Sequence, residues 1–186
     1  MKAFLLALLI FAPTLMRAQS VVLPIDSTTH KVSFTGVVQV PGVTQADLYS
    51  RAREWFATNF NSGKAVLDMD DKEAGKMIGK AYADFSLRAP LVGDITQKLW
   101  RQVKVYVKDG RYRYELTEFS TEGYLASGGR KPESYPVEWF LDKQKGARKN
   151  MSESVLNATH NQALAQIASL QSAMTSTAAA KKEKDW

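Results

Sequence analysis

Apolar and polar residues alternate in some stretches of this chain and recur every three or four residues in others. The two periods divide it into strands and helices. From Lys31 to Val40, Val32, Phe34, Val38 and Val40 point one way and Ser33, Thr35 and Gln39 the other, a half-buried strand that Pro41-Gly42 ends. Thr44, with Asp47 three residues later, forms a capping-box variant that opens a helix. Leu48, Ala52, Trp55, Phe56 and Phe60 lie on one stripe of that helix, and Gly63 stops it. Ala65 to Met69 reads as a short strand followed by an acidic turn of Asp68, Asp70, Asp71 and Glu73. The next strand runs from Lys76 to Leu87, with Met77, Ala81, Ala83, Phe85 and Leu87 on one face. Lys80, Tyr82, Asp84 and Arg88 occupy the other face, and Pro90 to Asp94 reads as a loop.

Asp109-Gly110 then marks a two-residue hairpin turn with positive backbone angles, which fixes the register of both arms. Counting outward pairs Lys108 with Arg111, Val107 with Tyr112, Tyr106 with Arg113, Val105 with Tyr114, Lys104 with Glu115 and Val103 with Leu116. One face is apolar throughout. The other sets a Lys104–Glu115 ion pair beside a Tyr106–Arg113 cation–π pair.

Beyond Ser120 the chain is rich in Gly and Pro and reads as a loop, and Val137 to Leu141 fits either a short edge strand or a docking turn. Asn150 with Glu153 opens a last helix, whose Leu156, His160, Ala163, Ile167, Leu170 and Met174 step by four and three residues. The order is strand, helix, four strands, helix. This predicts an α+β domain with a single antiparallel sheet of about five strands, both helices on one face and the other face open to water. The domain spans residues 31–142, the helix that packs on it 150–176, and a charged tail 177–186.

The N-terminus has a different character. Lys2 precedes an apolar run of ten residues from Ala3 to Ala12, Pro13 and Thr14 break it, and Ala18 offers a small residue before Gln19. This is the layout of a secretory signal peptide over residues 1–18, followed by a leader over 19–30. The run is too short to span a bilayer, which takes about 20 apolar residues. The expectation is an exported, periplasmic or secreted protein that does not span the membrane. Without cysteine it is not a lipoprotein.

Composition narrows the chemistry. With 45% apolar and 24% charged residues the chain is of ordinary globular make-up. The lack of Cys excludes disulfides, Cys-based zinc sites, iron–sulfur clusters and thiol nucleophiles. Loss of Lys2 and Arg17 lowers the net charge from +6 to +4, and the segment 130–149 carries most of that excess. A fold-wide basic stripe is missing, so nucleic acid is not the expected partner. Asp68-x-Asp70-Asp71-x-Glu73 fails the EF-hand pattern, because Lys72 and Glu73 take its fifth and sixth places. His30 and His160 have no second ligand nearby in sequence, and neither a G-x-S-x-G elbow nor a phosphate-binding G-x-x-x-x-G-K-[ST] loop is present. No metal, cofactor or catalytic residue is therefore assigned.

The "LPID" leader, the block "VSFTGVVQVPGVTQADLYSRAREWF", the strand "KMIGKAYADF" and the hairpin "VKVYVKDGRYRYELTEFS" together resemble one family over residues 22 to 120. It is a family of exported domains of unknown function from Bacteroidetes-type bacteria with a TATA-box-binding-protein-like fold. The resemblance implies the fold and the exported setting, and brings no activity or catalytic residues with it. A fold name carries no implication about DNA.

The candidate site is the open sheet face, with Ser33, Thr35, Lys80, Tyr82, Asp84, Lys104, Tyr106, Arg113 and Glu115. Its plain alternative is a solvated face whose cross-strand pairs stabilise the hairpin. Arg130 and Lys131, in the Gly-rich loop, form a second candidate, for an anionic partner. The leading expectation is a non-catalytic binding or accessory domain of the bacterial envelope that recognises a protein or an envelope polymer. A carrier of small hydrophobic ligands, with a pocket between the sheet and the last helix near His160, is one alternative. A glycan hydrolase built on folded-in carboxylates such as Asp84 and Glu115 is the other.

Overall fold

The computed structural model describes residues 21–59, 65–89, 93–123, 132–143 and 149–176. Its elements are β1 (Phe34–Gln39), α1 (Gln45–Asn59), β2 (Ala65–Asp71), β3 (Lys76–Ala89), β4 (Gly93–Lys108), β5 (Arg111–Gly123) and β6 (Glu133–Pro136). A 3₁₀ helix (Val137–Lys143) and α2 (Lys149–Thr175) follow. All strand pairs are antiparallel, in the order β1-β5-β4-β3-β2. The sheet has six strands where the hydrophobic pattern predicts about five. The sixth, β6, lies inside the stretch expected to be loop. It pairs with residues 120–123 of β5 while β1 pairs with 111–116, so the two lie end to end along one edge of β5. Pro136 is tolerated there because an edge strand leaves one side unpaired. Val137 to Leu141 is the docking turn, with Val137 and Phe140 fully buried.

Both helices cover one face of the sheet. Thr44 caps α1: its hydroxyl oxygen accepts the Asp47 N–H at 3.1 Å and its O–H donates to the Asp47 carboxylate at 2.9 Å. Leu48, Tyr49, Ala52, Trp55 and Phe56 are buried, whereas Phe60 and Gly63 lie outside the described residues. The α2 helix begins at Lys149, a residue earlier than expected, and buries Leu156, Ala163, Ile167, Leu170 and Met174. Polar bonds fasten it. Arg51 Nη1 donates to the Met174 carbonyl at 2.7 Å, and Trp55 Nε1 donates to Ser169 Oγ at 3.0 Å.

The hairpin has the register that its turn dictates, residue for residue from Val103↔Leu116 to Lys108↔Arg111. The turn itself differs from expectation. Gly110 has a φ of 71°, whereas Asp109 is not in the left-handed region. Asp109 instead accepts the Gln45 N–H at 2.7 Å, while Gly110 bonds Val40 and Val43 at 2.8 and 2.9 Å. The connection from β1 to α1 thus clamps the hairpin tip.

Two bulges change which residues face out. In β5, Trp100↔Ser120 and Gln102↔Thr117 leave Glu118 and Phe119 opposite Arg101 alone. Glu118 takes a φ of 54°, the strained left-handed region for a side-chain-bearing residue. The extra residue keeps Phe119 and Thr121 in the core and returns Ser120 and Glu122 to the open face. The second bulge lies between Leu67 and Met69 of β2. Asp68, Asp70 and Asp71, expected in a turn, are strand residues. Asp70 is claimed by α1, for it accepts from the Tyr49 hydroxyl and from Arg53 Nε. These two donors hold its carboxyl below the ordinary range, and burial with the Asp70 bond pushes the Tyr49 hydroxyl up to about 12.

Candidate functional site: the uncovered sheet face

The face away from the helices is organised in cross-strand rows. One runs Lys76–Tyr106–Arg113–Val37, the next Ile78–Lys104–Glu115–Thr35, and a third Tyr82–Trp100–Ser120. A fourth runs Asp84–Lys98–Glu122. Lys80, Tyr82, Asp84, Lys104, Tyr106, Arg113 and Glu115 all stand on this face, with Ser33 and Thr35 at the β1 margin. Arg130 and Lys131 lie outside the described residues, as do the expected signal peptide and the charged tail.

Two aromatic centres result. At one, the Tyr82 and Trp100 rings lie 4.6 Å apart, with Lys98 Nζ 4.9 Å over Tyr82 and Lys80 Nζ 5.7 Å over Trp100. Glu122 ties this centre together, accepting from Lys98 Nζ at 2.9 Å and from Trp100 Nε1 at 2.8 Å. At the other, the Arg113 guanidinium lies 4.7 Å over Tyr106 and Lys76 Nζ 5.8 Å from the same ring. Lys104 bonds Glu115 at 2.8 Å beside it. Each ring carries a cation over it, and Tyr82 and Trp100 also pack on one another, so the aromatic area of this face is bordered by charge.

Trp100, Lys98, Glu122 and Glu118 belong to this face but escape sequence reasoning. The first half of β4 places Gln97 and Arg101 on the core side, which hides its alternation, and the β5 bulge shifts the parity of everything after Thr117. One signal of that bulge is legible: Phe119 follows Leu116 by three residues where strict alternation asks for two.

Lys98 holds the Glu122 carboxyl below its ordinary value of 4.5, and the Trp100 N–H adds to this. A depressed carboxylate contributes stability that is full above its unfolded value and fades as pH falls through the folded one. Glu122→Gln, with no charge to lose, is expected to lose less Tm than the native chain between pH 6 and pH 3. An equal loss, followed by differential scanning fluorimetry, would show that these bonds contribute nothing.

Among the described residues, two grooves lie on this face. The larger, about 560 Å³, lies between the leader turn and β1, β4 and β5. Hydroxyls of Thr28, Thr29, Ser33 and Thr35 line it, and Lys31, bonded to Glu118 at 3.0 Å, forms part of its wall. The smaller, about 410 Å³, lies at the hairpin end, with Val37, Tyr106, Lys108, Arg111 and Arg113 in its lining. Val37 and Arg113 belong to both.

On the opposite side of the sheet, His160 packs against Phe34 with ring centres 6.2 Å apart, and its buried Nδ1 has no partner. Among the described residues no group of three or more His, Asp or Glu is placed to hold a metal ion, and no helix is long and apolar enough to cross a membrane.

Similar proteins agree with this architecture. None of the curated proteins matches the chain. A DUF4468 family protein from Bacteroides ovatus has a similar structure, with a TM-score of 0.64 at 18% identity, covering 83% of this chain and 91% of its own. A TBP-like protein from Parabacteroides distasonis superposes with a TM-score of 0.60 at 12% identity, covering 80% and 97%. At such identities the likeness is one of fold. The sequence of residues 34–122 matches a family model directly, so this chain carries the domain of unknown function DUF4468 with TBP-like fold.

Proposed function

We propose that this chain is an exported, non-catalytic binding module of the bacterial envelope, and that the uncovered sheet face is its binding surface. The observation that carries the reading is the pair of aromatic centres, Tyr82–Trp100 and Tyr106, each bordered by cations on a face that neither helix covers. Aromatic rings and arginines are the residue types that most often anchor interfaces. The apolar run at Ala3 to Ala12 supports the export half of the reading. The carrier alternative would place its ligand beneath α2, where Leu156, Ala163, Leu170 and Met174 are buried.

The test is co-sedimentation of the purified protein, starting at Gln19, with an envelope fraction of a Bacteroides. Binding is expected for the native chain and a loss of about tenfold or more for Tyr82→Ala/Tyr106→Ala/Arg113→Ala. Circular dichroism of that variant should stay native, because all three side chains project away from the core. Undiminished sedimentation of a folded triple variant would remove this face as the site.

A further inference from the structure

Resting on the reading of the open face as a binding surface, we infer that its ligand is an acidic glycan. The sugar hydroxyls occupy the larger groove, and a carboxylate or phosphate group of the same chain occupies the groove at the hairpin end.

The hairpin end departs from what stability alone asks for. Lys108 and Arg111 stand directly opposite one another on the same face, a like-charge pair that costs stability in a sheet. Among the described residues neither makes an ion pair, and the neighbouring Asp109 carboxylate is spent on the Gln45 N–H. Arg113 completes the set, held by Tyr106 and lying 3.7 Å from Glu115. The lining of this groove therefore holds three cations and no carboxylate. Local rules are broken in this way where a site needs the broken arrangement, and an anion placed among these three groups removes their repulsion.

The adjoining groove is charge-balanced and rich in hydroxyls. Its hydroxyls stand among balanced charges, Lys31, Lys104 and Arg113 with Asp26, Glu115 and Glu118, and both donate to and accept from a polyhydroxylated ligand; Val37 and Arg113 make it continuous with the cationic end. The Tyr106 ring lines the cationic groove and holds the Arg113 guanidinium in place there. The carboxylates along the open face argue against a nucleic-acid duplex, which carries one negative charge per roughly 1.7 Å of its axis and would place phosphates against Asp84, Glu115 and Glu122. An acidic glycan, whose charges are separated by sugar rings and their hydroxyls, places an acid among the cations of the hairpin end and its hydroxyls in the charge-balanced groove.

Calorimetry with short oligogalacturonate, a phosphorylated dextran, neutral dextran and a short DNA duplex tests the inference at low and physiological salt. The expected result is binding of at least one acidic glycan about tenfold or more tighter than neutral dextran, weakening as salt rises. The two acidic probes tell carboxylate from phosphate. Lys108→Gln/Arg111→Gln, at two exposed positions, should bring acidic binding down to the dextran level with Tm unchanged or raised. Equal affinity for charged and neutral glycans, lost in the Tyr82→Ala/Tyr106→Ala/Arg113→Ala variant, would overturn the charge selection and leave the binding surface standing. Tightest binding to DNA would overturn it in favour of a duplex. Failure of every probe while envelope co-sedimentation persists would overturn the glycan and leave a protein partner. Failure of both would remove the surface as well.

Discussion

Phe119→Ala is expected to destabilise the domain by about 3–5 kcal/mol, the usual cost of deleting a buried aromatic side chain. For a domain of this size that is a fall in Tm on the order of 10 °C. Phe119 is 1% exposed and meets Phe34 edge to face, with ring centres 5.8 Å apart, so it joins the bulged part of β5 to the start of β1. Its neighbour Ser120 faces the other way, opposite Trp100, and Ser120→Ala should change stability by no more than about 0.5 kcal/mol. Thermal unfolding of the two variants reads the bulge directly. Were Ser120→Ala the costlier change, the assignment of faces beyond Thr117 would be wrong, and Glu122 would leave the open face with it.

Gln166→Leu is expected to cost about 3 kcal/mol, more than a single neutral hydrogen bond contributes, because of what it leaves behind. Arg101 lies on the core side of β4, 8% exposed, and its guanidinium donates to the Gln166 side-chain carbonyl, to Gln162 Oε1 at 3.2 Å and to the Leu99 carbonyl at 3.4 Å. None of these acceptors is a carboxylate. Burial pushes the guanidinium from 12.5 down to about 10, a penalty of about 3 kcal/mol that the amide acceptors only partly offset. Taking away Gln166 leaves the buried Nε–H without its acceptor and the charge held by Gln162 and the Leu99 carbonyl alone. Removing both partners in Arg101→Met/Gln166→Leu should return stability to the native level or above, since apolar replacements of buried polar groups are often neutral or stabilising. A double-mutant cycle by chemical denaturation measures the coupling. Simple additivity of the two single changes would show that the two side chains do not depend on each other.

How much of this was legible depends on where the period stays clean. The β4–β5 hairpin was readable to the residue because Asp109-Gly110 fixes the register and both apolar arms alternate without interruption as far as Leu116. With it came the Lys104–Glu115 and Tyr106–Arg113 pairs. The placement of both helices on one face followed from the same alternation. The period fails where polar residues enter the core. Gln97 and Arg101 interrupt β4 on its buried side, so Trp100, between them in parity but opposite in face, goes unnoticed. The acidic residues of β2 read as a turn because Asp is depleted in strands, and only the arrival of Tyr49 and Arg53 from α1 makes Asp70 acceptable there. In β6 the composition is that of a loop, and pairing with β5 decides the matter. In each case a tertiary partner overrides the local preference.

The clamp at the hairpin tip bears on the order in which the molecule assembles. Strands β3, β4 and β5 follow one another through short connections and pair with their sequence neighbours, so they can form early. Strand β1 pairs with β5 across most of the intervening chain and pays the entropy of a long loop closure before any contact rewards it. The bonds from Val40, Val43 and Gln45 to Asp109 and Gly110 are the latch that makes this closure hold. Both grooves use Val37 of β1 as a wall. A chain caught with only its central meander formed therefore displays the aromatic rings but possesses neither groove. On the reading proposed above, recognition would be the last property the molecule acquires as it folds and the first it gives up as it opens.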